Sequence, residues 1–255
     1  MTYQTEGIIL SRSNYRDADR LLRVLSRDRG LLTLRAISVR KSRAKLIGHT
    51  EPLLHTALFV AQSRGIDILA GSQQITAFTQ LRQSWQTASA AQFIVGVIDR
   101  SLAAEDPHPE LFTELFQWLQ WLDAQTIEPH ALLVPTMLLR IAMHTGYEPQ
   151  LTDCLQCKRS LQAELQQWFQ ADSWSVLCAD CGQRQRTAHM VALSPTSLTL
   201  LQFIDRVDLD QITRRIVSVD DRVQLYRLLY RVLYYHLPTN AQALAHHYTL
   251  LYPQR

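Results

Sequence analysis

All four cysteines of this 255-residue chain lie in one short segment, where they form two Cys-x-x-Cys pairs. Cys154 pairs with Cys157, and Cys178 pairs with Cys181. Two thiols at this spacing can bind one ion from a tight turn, and two such pairs supply the four soft ligands that Zn²⁺ binds in a tetrahedron. A site with four protein ligands leaves no position for a catalytic water. The spacing therefore predicts one structural Zn²⁺ ion that stabilises a small ribbon without a core of its own.

Two other uses of the thiols compete with the metal site. Paired disulfides need an oxidising compartment, but the N-terminal MTYQTEGIIL has neither the basic nor the apolar region of a signal peptide. A redox Cys-x-x-Cys usually occurs once, beside a βαβ pattern. His144 and His189 flank the pairs and could replace a thiol, but both are read as ordinary polar residues. The cysteine usage thus predicts a reducing, cytoplasmic setting.

The charge of the chain is unevenly distributed. Residues 1–50 contain eleven Lys and Arg against four Asp and Glu, a balance of +7, whereas residues 51–255 contain fifteen against nineteen, a balance of −4. This asymmetry favours an anionic partner such as a nucleic acid, although an Arg-rich solvated surface would give the same count. The chain has neither of the common glycine-rich nucleotide-binding motifs, and no apolar run is long enough to span a membrane.

Residues 4–78 show the short alternating runs that are typical of β-strands. In GLLTLRAIS, for example, Leu32, Leu34 and Ala36 fall on one face, whereas Thr33 and Arg35 fall on the other. Turns are predicted at Asp28-Arg29-Gly30 and Ser63-Arg64-Gly65. Five strands in about 75 residues predict a small barrel, and the five-stranded OB-fold is the natural candidate.

A basic segment, SVRKSRAKLIGHTEP, separates the third and fourth predicted strands. Its cations could neutralise phosphates from a mobile loop. Base stacking needs exposed aromatic side chains, and we expect Phe59 to be in the core. Contact with a nucleic-acid backbone is therefore favoured over stacking, and nothing supports sequence-specific readout.

The periodicity becomes helical after residue 80. Leu111, Leu115, Leu119 and Leu122 recur at helical spacing, and Gly146 is a plausible helix stop. Ser194-Pro195 resembles an N-cap followed by proline at the first helical position. The last helical stretch carries an apolar stripe with interleaved arginines, which more often form a solvated face than a DNA-binding one. Because helical patterns lie on both sides of the cysteines, the ribbon is predicted to be an insertion in a helical domain.

Six stretches, taken in their order and spacing, carry a resemblance to a known family: TEGIIL, SNYRDADRLLRVLSRDRG, GLLTLRAISVRKSRAKLIG, EPLLHTALFVAQSRG, HTGYEPQLTDCLQC and LCADC. Together they resemble RecO, a family of bacterial DNA repair and recombination mediators. The resemblance is strongest in residues 1–70 and 140–182. Two departures concern turns: Lys158 follows the first cysteine pair where the family often has glycine, and Ser173-Trp174-Ser175 replaces a glycine-rich turn.

The resemblance implies an α+β multidomain fold, with an N-terminal OB-fold β-barrel followed by an α-helical domain that carries an inserted four-cysteine zinc ribbon. The expected domains are a DNA-binding barrel, a first helical part, the ribbon and a second helical part, at residues 1–79, 80–150, 151–190 and 191–255.

The resemblance also implies a function without bond chemistry. Members of the family bind single- and double-stranded DNA without sequence preference, anneal complementary strands and bind the tail of single-stranded DNA-binding protein. With RecR they help to load RecA recombinase onto coated strands. Matched to the family's basic segment, the expected DNA-binding residues are Arg35, Arg40, Lys41, Arg43 and Lys45.

Two rival functions remain open. A zinc hydrolase would need an open coordination position, which four cysteines do not leave. A zinc-ribbon adaptor or transcription-type regulator would act through protein contacts, and it would show either sequence preference or no affinity for DNA. The sequence therefore favours a DNA-binding protein that is not an enzyme.

Overall fold

The structure is a computed structural model, and the residues that it describes separate into two compact units, 1–124 and 132–236. The structure describes residues 1–41, 46–124, 132–161, 166–187, 190–212 and 217–236.

The first unit is built on a closed five-stranded barrel. The strands follow one another in the order β1-β2-β3-β5-β4, and pairing of β1 with β4 closes the circle. All pairs are antiparallel except β3 with β5. This arrangement confirms the predicted OB-type barrel. The strands are β1 (Thr2–Tyr15), β2 (Asp19–Ser26), β3 (Gly30–Ala36), β4 (His55–Ala61) and β5 (Asp67–Thr76).

β1 is longer than its apolar stretch suggests because it serves two partners. Residues 2–8 pair with β4, and residues 7–15 pair with β2, with a register shift between Ile9 and Ser11. The polar second half of β1 has no apolar alternation, so its strand character comes from pairing rather than from burial.

The alternation predicted for β3 is confirmed. Leu32, Leu34 and Ala36 point into the barrel core, and the turn before them depends on Gly30. Gly30 has φ +69°, and a Cβ placed there would lie 2.1 Å from the carbonyl oxygen of Asp106. Only glycine satisfies both the backbone conformation and this close approach.

The expectation that Phe59 lies in the core is wrong. Leu58 and Val60 point inward, and the two-residue period of β4 therefore places Phe59 outside, where it is 42% exposed. It pairs with Gly71 of β5, whose missing side chain leaves room for the ring on the outer surface. The barrel thus has one exposed aromatic on this face, while Phe78 is buried.

Two helices, α1 (Trp85–Ser101) and α2 (Pro109–Ala124), pack on the barrel and belong to the same unit. Asp99 of α1 accepts hydrogen bonds from Ser11 at 2.9 Å and from Arg23 at 2.7 Å. The leucines at helical spacing in α2 are buried, as predicted. The unit is therefore larger than the barrel alone, and the four domain boundaries drawn from the sequence stay a prediction.

The second unit consists of helices that flank a three-stranded sheet. α3 packs against α5 and α7, although the cysteine segment lies between α3 and α5 in the chain. This confirms that the ribbon is an insertion. The elements are α3 (Leu133–His144), β6 (Gln167–Gln170), β7 (Ser175–Leu177), α4 (Ala179–Arg184), β8 (Met190–Leu193), α5 (Pro195–Arg206), α6 (Leu209–Ile212) and α7 (Val219–His236).

Both predicted helix boundaries of this unit are confirmed. Gly146 has φ +90° and donates its N–H to Met143, just beyond the end of α3. The Ser194 hydroxyl accepts the Ser197 N–H at 3.1 Å and caps α5, with proline in the first turn. In α7, Tyr226 is buried whereas Arg227 and Arg231 are exposed, as expected for a solvated arginine face, but Val223 and Tyr230 of the apolar stripe are only half-buried.

The ribbon has an apolar core, contrary to the sequence expectation. Phe169, Trp174 and Val176 are at most 1% exposed. Trp174 stacks on Tyr147 with ring centroids 6.0 Å apart, and it meets Phe169 edge to face at 6.3 Å. A metal ion would therefore add to this packing rather than replace it.

His55 is a buried titratable group in the first unit. Its side chain is 3% exposed, lies 2.6 Å from Glu6 and packs against Phe112 and Phe116. Burial lowers the pKa of His55 below its ordinary value, and the Glu6 carboxylate offsets this only in part. The neutral imidazole is the form that suits this site.

This lowered pKa predicts a pH-dependent stability. Below about pH 6.5 His55 becomes protonated in the unfolded chain but stays neutral in the folded protein. The free energy of unfolding is therefore highest above that pH and falls as the pH falls. His55→Gln keeps a donor to Glu6 but does not titrate. The fall in thermal midpoint between about pH 7.5 and about pH 5.5 should be smaller in the variant than in the wild type. Equal falls in the two proteins would contradict this role for His55.

Candidate metal centre and nucleic-acid interface

The first cysteine pair lies in a tight hairpin of the second unit. Cys154 donates its N–H to the carbonyl of Arg159 at 2.8 Å, and its carbonyl accepts the N–H of Lys158 at 2.9 Å. The Cys154 side chain is buried, and Cys157 lies at the exposed tip of the turn. The hairpin directs both thiols to one side.

The second pair lies at the start of α4. Cys178 is the N-cap residue with extended backbone, and Cys181 falls within the first turn. Gly182 follows, and a Cβ at that position would lie 2.1 Å from the indole of Trp168 on β6. The absence of a side chain at Gly182 therefore allows α4 to lie against the sheet.

β7 brings the two pairs together. Residues before and within the first pair hydrogen-bond along β7 and the residue that precedes it: Gln150 donates its N–H to Trp174 at 2.9 Å, and Leu155 donates its N–H to Val176 at 2.9 Å. Because β7 leads directly into Cys178, these bonds place the second pair beside the first. The Cys178 N–H also donates to the Cys154 sulfur at 3.3 Å.

The four sulfurs have the spacing of a tetrahedral metal site. All lie within 4.8 Å of one another, and the Cys157 and Cys178 sulfurs are 3.8 Å apart. Bonds of about 2.3 Å from Zn²⁺ to sulfur give a tetrahedron edge of about 3.8 Å. None of the four cysteines is in a disulfide. All four predicted ligands are therefore brought together, and they could hold one metal ion.

The environment of the thiols favours one thiolate. Burial raises the pKa of Cys154, but hydrogen bonds from the backbone of Cys157, Cys178 and Gln156 outweigh it and lower the pKa to about 6. The hydrogen bond with Cys178 and burial raise the pKa of Cys181 to about 12. A cation bound here would displace the remaining protons, since metal ligands must be thiolates.

Both departures from glycine in the ribbon have left-handed backbone. Lys158 has φ +57° and Trp174 has φ +49°. This conformation costs about 1–2 kcal/mol in a residue with a Cβ. The Trp174 indole is buried and offsets the cost by packing, whereas the Lys158 side chain is exposed and does not.

Glycine at these two positions should therefore have opposite effects. Lys158→Gly should stabilise the second unit by up to about 1 kcal/mol through relief of the left-handed backbone. Trp174→Gly should destabilise it by about 3 kcal/mol or more through loss of the core indole. Urea unfolding of the metal-loaded proteins measures both changes. Destabilisation by Lys158→Gly would contradict the turn geometry.

Most of the N-terminal arginines are already paired with carboxylates. Residues 1–50 contain nine Lys and Arg that the structure describes, and six of them form ion pairs within the first unit. Such pairs lower the positive potential available to a distant anion. The pairs are Arg12–Glu51 at 3.0 Å, Arg20–Glu51 at 3.2 Å, Arg23–Asp99 at 2.7 Å, Arg27–Glu6 at 3.4 Å, Arg29–Asp28 at 3.8 Å and Arg35–Asp19 at 2.6 Å.

The three other cations lie at one end of the barrel. Arg16 is in the β1–β2 turn, and Arg40 and Lys41 are in the segment after β3. All three are exposed, and none forms an ion pair with a carboxylate that the structure describes. We call them the cationic end of the barrel. The turn and the segment are joined, because Arg40 donates its N–H to Ala18 at 2.9 Å and its guanidinium to the Asp17 carbonyl at 3.2 Å.

The five residues predicted to bind DNA thus have different surroundings. Arg40 and Lys41 are exposed at the cationic end, whereas Arg35 is half-buried in its pair with Asp19. Arg43 and Lys45 lie outside the residues that the structure describes.

Local sequence alone cannot place the Arg16 side chain. Asp17 and Asp19 are its acidic neighbours in the chain, but its guanidinium lies 5.3 Å from the Tyr15 ring centre, in the range of a cation–π contact. The left-handed φ of Arg16, +50°, turns it away from regular strand geometry. Short alternation of Arg and Asp in a turn cannot reveal which of them pair.

Comparisons with known proteins cover nearly the whole chain. The family model described as Recombination protein O N terminal matches residues 1–78, and Recombination protein O C terminal matches residues 82–244. A DNA repair protein RecO of Dehalococcoides mccartyi is 29% identical over 212 residues, 83% of this chain and 81% of the relative. The RecO of Roseiflexus sp. is 29% identical over 243 residues, 95% of this chain and 84% of the relative. That of Bacillus pumilus is 24% identical over 233 residues, 91% of this chain and 87% of the relative.

Among the residues that the structure describes, no helix is both long enough and apolar enough to cross a membrane.

Proposed function

Because the chain belongs to the RecO family of DNA repair proteins, we propose that it is a non-enzymatic mediator of homologous recombination. It binds single- and double-stranded DNA without sequence preference and anneals complementary strands. With RecR it helps to load RecA recombinase onto strands coated by single-stranded DNA-binding protein, whose C-terminal tail it binds. Its place of action is the bacterial cytoplasm, in association with the nucleoid.

The cationic end of the barrel is the observation that carries this proposal. Exposed cations without carboxylate partners can bind phosphates at little cost, since no internal ion pair has to break first. Arg40 and Lys41 lead directly into Arg43 and Lys45, which extend the same basic segment in the sequence. DNA held there by its phosphates leaves its bases free to pair with a second strand. Arg35 supports this surface from its pair with Asp19.

The metal ion that we propose for the four cysteines is a single structural Zn²⁺. When bound, it supplies a cross-link between the hairpin of Cys154 and the start of α4. With four thiolates as ligands it has no open position for a substrate. The ribbon therefore takes part in function through the shape that it stabilises.

Annealing of two complementary oligonucleotides coated with single-stranded DNA-binding protein tests the function directly. The metal-loaded chain should accelerate annealing, and the acceleration should fade as salt rises, because phosphate contacts release counterions. A folded, metal-loaded protein that gives no acceleration at any salt concentration would contradict the mediator role. That outcome would favour an adaptor that acts through protein contacts.

The cationic end can be tested by paired variants that remove equal charge. R40A/K41A should weaken binding to single-stranded DNA and flatten the salt dependence by about 0.7 in log–log slope for each phosphate that the protein no longer neutralises. Adding R43A/K45A should weaken binding further. The control R12A/R27A also removes two positive charges, but from arginines that already pair with Glu51 and Glu6.

Fluorescence anisotropy across a salt series measures both slopes. A long-range charge effect would lower the DNA affinity and the salt slope of the two double variants equally. That result would show that the cationic end is not the site of contact.

A further inference from the structure

The basic segment after β3 is attached to the barrel through one buried carboxylate. Asp19 begins β2 and is 5% exposed. Its Oδ2 accepts a hydrogen bond from Arg35 Nε at 2.8 Å and forms an ion pair with Arg35 Nη2 at 2.6 Å. Its Oδ1 accepts the backbone N–H of Ser38 at 2.7 Å. One side chain therefore holds both the end of β3 and the first turn of the segment that follows.

The bond to Ser38 fixes an unfavourable backbone conformation. Ser38 has φ +56°, a left-handed conformation that serine adopts only with support from its surroundings. The Ser38 carbonyl then accepts the N–H of Lys41 at 3.2 Å and closes the turn. Arg40 and Lys41 thus stand on a turn whose first residue is held by Asp19.

The residues around Asp19 keep its carboxylate charged. The N–H of Ser38 and the guanidinium of Arg35 lower the pKa of Asp19 below its ordinary value. Val39, between Ser38 and Arg40, is 1% exposed and anchors the same turn in the barrel core. The start of the basic segment is therefore fixed by a polar contact and an apolar contact together.

We infer that Asp19 is a positioning residue for DNA binding, which holds Arg40 and Lys41 in place through Ser38 and Arg35. The inference rests on the proposed function of the cationic end. Asp19 is negatively charged and lies beside a surface that binds an anion, so its charge alone would weaken DNA binding. It acts on DNA affinity through the geometry of the turn, without touching the DNA.

The opposite signs make the inference testable. If charge alone mattered, Asp19→Asn and Asp19→Ala would tighten DNA binding equally, because both remove one negative charge. Positioning predicts weaker binding, with a graded effect. The Asn side chain keeps one oxygen, which can accept the N–H of Ser38, but its NH2 group cannot accept a hydrogen bond from Arg35. The Ala side chain makes neither bond. We expect affinity to fall about threefold for Asn and about tenfold for Ala, since loss of a hydrogen bond of ordinary net strength changes an equilibrium by about two- to tenfold.

Asp17→Asn is the matched control. Asp17 lies two residues away on the same surface, and in the part of the chain that the structure describes its side chain makes no hydrogen bond to the basic segment. Its contact with Arg40 uses the backbone carbonyl, which the substitution leaves in place. Removal of this charge should tighten binding by up to about twofold.

The full-length, metal-loaded variants should be titrated with a fluorescein-labelled single strand of mixed sequence across a salt series. Asp19→Ala should also lower the salt slope by about 0.7, because one fewer phosphate is neutralised. A variant that is only partly folded would instead show a smaller fraction of DNA-binding protein, with the salt slope of the affinity unchanged. Asp19→Asn keeps the test valid if Asp19→Ala does not fold.

Unchanged or tighter binding by folded Asp19 variants, together with weaker binding by R40A/K41A, would overturn the positioning role and leave the DNA-binding site standing. No DNA binding by the wild type would instead overturn the proposed function. If the Asp17 and Asp19 variants bound DNA more tightly by the same factor, the effect of Asp19 would be that of its charge alone.

Discussion

A cation on this barrel is available to a phosphate only where no carboxylate of the protein already pairs with it. Six arginines of the N-terminal region pair with acids of the same unit, and Glu51 serves two of them. The formal excess of charge in residues 1–50 therefore overstates the field that DNA would encounter. What remains is concentrated at one end, where Arg16, Arg40 and Lys41 have no such partner among the described residues. Internal pairing, rather than composition, places the candidate interface.

Whether a contact is local in the chain decides which parts of the site could be predicted from sequence. The two-residue period of β3 predicted its inward face correctly, and the spacing of the cysteines predicted four sulfurs around one point. Both patterns are local, and each needs only the geometry of a strand or a turn. The same two-residue period in β4 places Phe59 outside, between the inward-facing Leu58 and Val60, and here the period is a better guide than the large apolar side chain.

The ion pairs could not be predicted because their partners are distant in the chain. Arg23 meets Asp99 across 76 positions, and that contact exists only after α1 has packed on the barrel. Arg16 and Arg20 each have an aspartate as an immediate neighbour, yet Arg16 lies over Tyr15 and Arg20 pairs with Glu51. Tertiary structure decides such cases, and no pattern along the chain contains the information.

The ribbon is connected to the helices around it as well as to a potential ion. Leu151, three residues before Cys154, accepts a hydrogen bond from Gln202 of α5 at 2.7 Å, and Trp174 stacks on Tyr147 just after α3. The hairpin, the sheet and the helices therefore share one set of contacts. An ion that binds only the folded form stabilises everything that unfolds with it, by mass action. The supply of metal in the cell then becomes a term in the cooperative stability of the whole second unit, and not of the cysteine segment alone.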